Sequence, residues 1–129
     1  VAGVVVVDTD LIIDFLRGKG PGVSLVRELI AGHRLRVTAV TAFELRVGMD
    51  FLARRDYILR LVRSRTFPLD SRCALRAGDV AAALRRGGQD IGLADCLQAG
   101  ICLTFDLPLA TRNRKHFERV DGLRLHEVG

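Results

Sequence analysis

Hydrophobic and polar positions along this chain fall into short blocks whose period switches between that of a strand and that of a helix. Residues 3–7 (GVVVV) form an unbroken β-branched run ending at Asp8. A run without alternation reads as a strand buried on both faces, as in a parallel sheet covered by helices. Residues 11–16 (LIIDFL) follow with helical spacing and stop at Gly18 and Gly20. The stretch 21–31 carries Val23, Val26, Leu29 and Ile30 on one face and closes at Gly32. A short strand is expected over 35–40, and Thr41 then caps a helix through Glu44, Leu45 and Phe51. Residues 55–65 continue as helix, with Ile58, Leu59 and Leu61 inward and arginines outward.

The second half repeats the alternation. Residues 66–70 read as a brief strand that Pro68 confines to an edge or a terminus. Residues 71–84 are helical, with Ala74, Leu75, Ala77 and Ala81 packing, and 85–90 (RRGGQD) form a loop. A nearly all-apolar helix follows over 93–103, then a strand at 108–110, a short helix at 115–120 and a last strand at 123–125. Strands alternating with helices at these intervals predict an α/β fold: a three-layer-like sandwich around a central, mostly parallel sheet, in one domain over 1–129. Right-handed crossovers place the C-terminal ends of such strands on one side, and ligands bind beyond those ends.

Composition narrows the class. A chain of 129 residues buries about two-thirds of its surface, enough for a core without staples. With 49% hydrophobic and 27% charged residues, disorder and collagen-like repeats are excluded. Aromatics are only 5%, which argues against a recognition surface of stacked rings. Cys73, Cys96 and Cys102 are odd in number and form no CxxC pair, so they read as small buried hydrophobes in a reduced compartment. No apolar stretch approaches the ~18 residues of a membrane span, and the valine run is too short for a signal peptide. A cytoplasmic setting is expected, and the absence of methionine at Val1 suggests processing. The net charge of +5 is almost entirely arginine, since Lys19 and Lys115 are the only lysines. That balance favours a polyanionic partner, whose phosphates arginine grips in bidentate fashion.

Three carboxylates stand out against their surroundings. Asp8 leaves the valine strand, where either it or Asp10 can cap the following helix. Asp95 sits in LADCLQAGICL (93–103), which offers no polar neighbour but Gln98. A helix apolar all round is buried, so the charge needs either the dipole of its helix N-terminus or a cation. Glu44 fits a capping box with Thr41 three residues earlier, and equally a shared site. Three carboxylates converging at one end of a parallel sheet repel one another and persist only when protonated or holding a cation. Oxygen ligands suit Mg²⁺ or Mn²⁺. Beside an arginine-rich surface, such an ion points to a phosphodiester substrate, for which it activates water and neutralises phosphate charge.

Four segments in order, VDTDLIIDFLRG (7–18), TAVTAFELRVG (38–48), IGLADCLQA (91–99) and LPLATRNRKHF (107–117), resemble PIN domains, specifically the small ribonucleases that act as VapC-type toxins. The resemblance covers the whole chain. It implies a Mg²⁺- or Mn²⁺-dependent endoribonuclease acting on RNA, a homodimer, and silencing by a cognate VapB-type antitoxin. Carried over by position, Asp8, Glu44 and Asp95 are the acidic metal ligands. Asn113 stands where many members place a fourth acid, a role that Asp10 or Asp106 can take instead. Thr111, Arg112, Arg114 and Lys115 are the expected substrate contacts, and His116 is read as structural. Two other readings compete: a PIN-like module that binds RNA or a partner without chemistry, and a response-regulator-like phosphoacceptor with Asp70 as acceptor and Lys115 as its lysine.

Overall fold

A computed structural model describes residues 3–129 of the chain; the reading of Val1 lies outside the described residues. The valine run becomes β1 (Val5–Val7), with all three side chains buried. Val5 and Val7 enter one apolar cluster and Val6 the other, as the two-residue period of a strand requires. The remaining elements are α1 (Thr9–Arg17), α2 (Gly22–Ala31), β2 (Leu35–Thr38), α3 (Ala39–Val47), α4 (Phe51–Val62), β3 (Thr66–Phe67), α5 (Ser71–Arg86), α6 (Leu93–Thr104), β4 (Leu109–Ala110) and α7 (Arg114–Phe117).

The sheet is parallel throughout, in the order β3-β2-β1-β4. One face packs against α1, α2 and residues of α3 and α4 through Leu11, Ile12, Leu29, Leu45 and Ile58. The opposite face packs against α5 and α6 through Val80, Leu84, Ala99 and Cys102. The three-layer sandwich expected from the alternating pattern is therefore present, and β3 lies at the sheet edge and stops at Phe67, before Pro68, not at residue 70. The cysteines are unpaired and buried, and burial pushes the Cys102 thiol up to about 12.

Boundaries moved at several points. β2 ends at Thr38, not residue 40, because the Thr38 hydroxyl accepts the Thr41 N–H at 3.3 Å and caps α3 itself. Thr41 therefore lies inside the helix, and its capping box with Glu44 does not form. Helix α4 begins at Phe51 and kinks at Arg54. The final strand shrinks to a single bridge between Leu109 and Leu125, and the short helix before it covers Arg114–Phe117 only.

Helices α5 and α6 approach so closely that Gly100 has no room for a side chain. A Cβ there falls 2.6 Å from the Cys73 carbonyl oxygen and 2.7 Å from the Ala77 Cβ. Gly100→Ala is therefore expected to destabilise the fold by about 1–3 kcal/mol, read as a lower urea midpoint; an unchanged midpoint would show that the two helices separate freely.

Candidate active site

Strand β1 delivers Asp8 to the carboxyl edge of the sheet, and the residue takes two roles there. It is the N-cap of α1, with Oδ1 accepting the Thr9 N–H at 2.9 Å. Its carboxylate also receives donors from two distant segments: the Thr111 hydroxyl donates to Oδ2 at 2.8 Å, and Gln98 Nε2 donates to Oδ1 at 3.3 Å. Even so, burial pushes the Asp8 carboxyl up to about 6. The Thr111 and Thr9 donors pull it back, while the charges of Asp95 and Asp10 add to the rise.

Glu44 reaches the same region through a chain of hydroxyls. Thr9 Oγ1 donates to Glu44 Oε1 at 2.5 Å, which leaves the Thr41 hydroxyl as donor in its 2.8 Å contact with Thr9. Gln98 Nε2 in turn approaches Thr41 Oγ1 at 3.5 Å, and the Thr38 hydroxyl donates to Gln98 Oε1. Thr38, Thr41 and Gln98 are buried, and no buried side-chain polar atom among the described residues lacks a partner. A satisfied network of this kind fixes its members in one geometry. Gln98, in sequence only the polar neighbour of Asp95, is the hub of this network.

Asp95 is not entombed, as the apolar composition of its helix suggests. The first turn of α6 is open to solvent, with Leu93 77% exposed, and the Asp95 side chain is half-buried. Burial begins at Cys96 and concentrates from Gln98 to Cys102. Asp95 Oδ2 lies 2.9 Å from His116 Nδ1 and 3.3 Å from Asn113 Nδ2, and that amide lies 2.8 Å from His116 Nδ1. His116, set aside as structural, thus stands in the site.

The structure separates the expected substrate contacts. Thr111 is buried and committed to Asp8, so it positions the carboxylate and does not face a substrate. Arg112 donates through Nη1 to both oxygens of the buried Asp14, at 3.0 and 3.2 Å, and Nη2 lies 3.9 Å from Asp10. Asp14 also accepts the Gly22 N–H at 3.0 Å, and Gly20, at φ +114°, passes so close that a Cβ falls 2.6 Å from the Asp14 Cγ. Arg114 stands 3.6 Å from Glu118 in an i,i+4 pair, and Lys115 is exposed with no ion pair among the described residues. Asp106 pairs instead with Arg124 at 3.1 Å.

Among the described residues no three His, Cys, Asp or Glu side chains form a ready-made metal cage. The donor chemistry nonetheless fits a hard divalent ion. Asp8 Oδ2 accepts one hydrogen bond and keeps a lone pair, and Glu44 Oε2 and Asp95 Oδ1 accept none among the described residues. Mg²⁺ retains waters and is held by one or two carboxylates, so a closed cage is not required.

The PIN domain signature matches residues 5–123. The chain belongs to the PIN domain family. It is 35% identical over 124 residues to "Ribonuclease VapC10" of Mycobacterium tuberculosis, covering 93% of this chain and 90% of that one. It is 28% identical over 125 residues to the "tRNA(fMet)-specific endonuclease VapC" of Shigella flexneri, covering 93% and 94%. In three dimensions this PIN domain superposes on a chain of VapBC2 from Rickettsia felis bound to a DNA fragment, with a TM-score of 0.78 at 19% identity over 95% of this chain and 97% of that chain. The phosphoacceptor reading falls with this membership. Asp70 caps α5 through the Cys73 N–H at 3.1 Å, and its Arg72 partner and that N–H hold its carboxyl down at about 2.

Two measurements probe this arrangement. In metal-free buffer the Asp8 carboxyl titrates near 6 when folded against an ordinary 3.8. Its contribution to stability is therefore full below pH 3.8 and is lost as pH rises through about 6. Asp8→Asn is expected to abolish that fall, gaining roughly 1–3 kcal/mol over wild type near neutrality with EDTA present; parallel stability-against-pH curves would refute the assignment. Arg112→Ala leaves the Asp14 charge buried without its cation and is expected to cost about 1–3 kcal/mol, whereas Lys115→Ala leaves the thermal midpoint within error of wild type.

Proposed function

We propose that this PIN domain is a divalent-metal-dependent endoribonuclease, the toxin component of a type II toxin–antitoxin pair, with Asp8, Glu44 and Asp95 as its metal-binding acids. The observation that carries the reading is the Asp8 carboxylate: half-buried, gripped by three donors, repelled by Asp95 and still in want of positive charge. Arg112, next in the chain to Thr111, does not supply it, because it is engaged by Asp14 and Asp10. A bound Mg²⁺ or Mn²⁺ supplies charge neutralisation at the phosphate and a water acidic enough to attack near neutral pH.

The chain's own residues set the geometry for hydrolysis of an RNA phosphodiester. Thr9, Gln98 and Thr111 lock the Asp8 carboxylate in one rotamer. Glu44, held through one oxygen by Thr9, keeps Oε2 to orient a water. Asn113 at the start of α7 stands against Asp95, and Lys115 on the same short helix offers an ammonium to the substrate backbone. Exposed Phe43, Val47, Met49, Leu52 and Leu93 support the reading that a second copy and an antitoxin cover parts of this surface. The relatives' names point to RNA as the substrate. Among the described residues no helix is long and apolar enough to cross a membrane, in keeping with a cytoplasmic toxin.

Purified protein titrated with Mg²⁺ or Mn²⁺ against RNA is expected to cleave it, with activity abolished by EDTA. The Asp8→Asn, Asp95→Asn double variant should cleave about a hundredfold slower or worse. Cleavage undiminished in EDTA or in the double variant would overturn the metal assignment, and RNA binding without turnover would leave a binding module.

A further inference from the structure

Resting on that reading, we propose that His116 is itself a ligand of the divalent ion, through Nδ1, in a set with Asp95 and the side-chain amide of Asn113. Three polar atoms form a closed triangle at the mouth of the site: Asp95 Oδ2 to His116 Nδ1 at 2.9 Å, His116 Nδ1 to the Asn113 amide at 2.8 Å, and that amide to Asp95 Oδ2 at 3.3 Å.

Hydrogen bonding serves this triangle only through a three-centre bond from one ring proton. When the amide nitrogen donates to both neighbours, Nδ1 must accept, and its lone pair then faces a carboxylate oxygen with no proton between them. When Nδ1–H donates to Asp95, two N–H groups face each other at 2.8 Å. Turning the amide over relieves that clash only by making one ring proton serve two acceptors. A cation removes the conflict, because with the amide oxygen turned inward all three atoms present lone pairs to a common centre. The dimensions agree. In an octahedral shell with bonds of about 2.1 Å, adjacent ligand atoms stand about 3.0 Å apart, and the observed edges of 2.8, 2.9 and 3.3 Å bracket that spacing.

The fold holds these groups in place for reasons independent of the triangle. Asn113 is the N-cap position of α7, and His116 follows it three residues on, within the helix. Phe117, wholly buried, anchors that helix in the core. The Asn113 N–H donates at 2.9 Å to Thr111 Oγ1, the same hydroxyl that grips Asp8. With His116 37% and Asp95 25% exposed, the triangle is open to an entering hydrated ion. This assignment also answers the question raised by Asn113, whose neutral amide brings no charge: the extra ligand is an imidazole one turn further on. An added nitrogen donor shifts an oxygen site away from Mg²⁺ and toward a first-row transition ion such as Mn²⁺.

The test loads the full chain with Mn²⁺ alone and reads the bound ion by electron spin-echo envelope modulation, with Mn²⁺ and Mg²⁺ affinities measured by calorimetry. Wild type is expected to show modulation from a directly bonded nitrogen. His116→Ala and His116→Gln, the second keeping bulk and a polar contact to Asp95, are expected to lose it. Both should weaken Mn²⁺ about tenfold or more and Mg²⁺ less. Absence of nitrogen modulation in wild type, or unchanged Mn²⁺ affinity in both variants, overturns the proposal. If RNA cleavage remains EDTA-sensitive alongside such a result, His116 alone is misassigned; if the chain neither binds Mn²⁺ nor loses cleavage in EDTA, the metal-dependent reading falls with it.

Discussion

A carboxylate cannot leave bulk water at the end of a buried strand without donors to meet it, and meeting Asp8 ties the molecule together. Its three partners come from the first residue of α1, the middle of α6 and the segment after β4. Two of these partners lie 90 and 103 residues from Asp8 in the chain, yet each of the three contributes one N–H or O–H to the same pair of oxygens. Donors that suffice to hold the charge but not to neutralise it leave an electrostatic deficit, and the burial that raises the carboxyl to about 6 measures it. The fold maintains this deficit because the hydrophobic clusters on either side of the sheet carry the stability.

The hydroxyl chain from Gln98 through Thr41 and Thr9 to Glu44 extends the same logic. Each hydroxyl has one proton, so once Thr9 donates to Glu44 the direction of every other bond is set. Glu44 is thereby held through one oxygen while the other stays available. Gln98 is the branching point. Its oxygen is taken by Thr38, the residue that caps α3, and its nitrogen serves Asp8, so the position of the Glu44 helix and the orientation of the Asp8 carboxylate are coupled through one buried amide.

Positive charge is distributed less generously than the composition suggests. Of the basic residues in the loop following β4, Arg112 holds Asp14 and Arg114 pairs with Glu118. Arg112 acts as a strut between α1 and that loop, and the tight Gly20 turn leaves room for the Asp14 carboxylate that it holds. The net charge of +5 describes a general attraction for polyanions; what remains for contact at the site is local and small.

The sequence alone determined the layers. β-Branched runs, helical spacing and turn residues act over a few neighbours, so the parallel sheet and its covered faces were legible in the chain itself, and Pro68 marked the edge or end of a strand. It also marked Asp8, Glu44 and Asp95, because a carboxylate beside apolar neighbours is conspicuous at short range. What each side chain does emerges only once the elements pack together. Thr38 displaced Thr41 as a cap, Thr111 turned inward, Arg112 was drawn to Asp14, and His116 met Asp95. The physical reason is one of range: a hydrogen bond or ion pair forms wherever two groups come within about 3 Å, and for residues far apart in the chain that distance is set by the packing of whole elements, which no local pattern records.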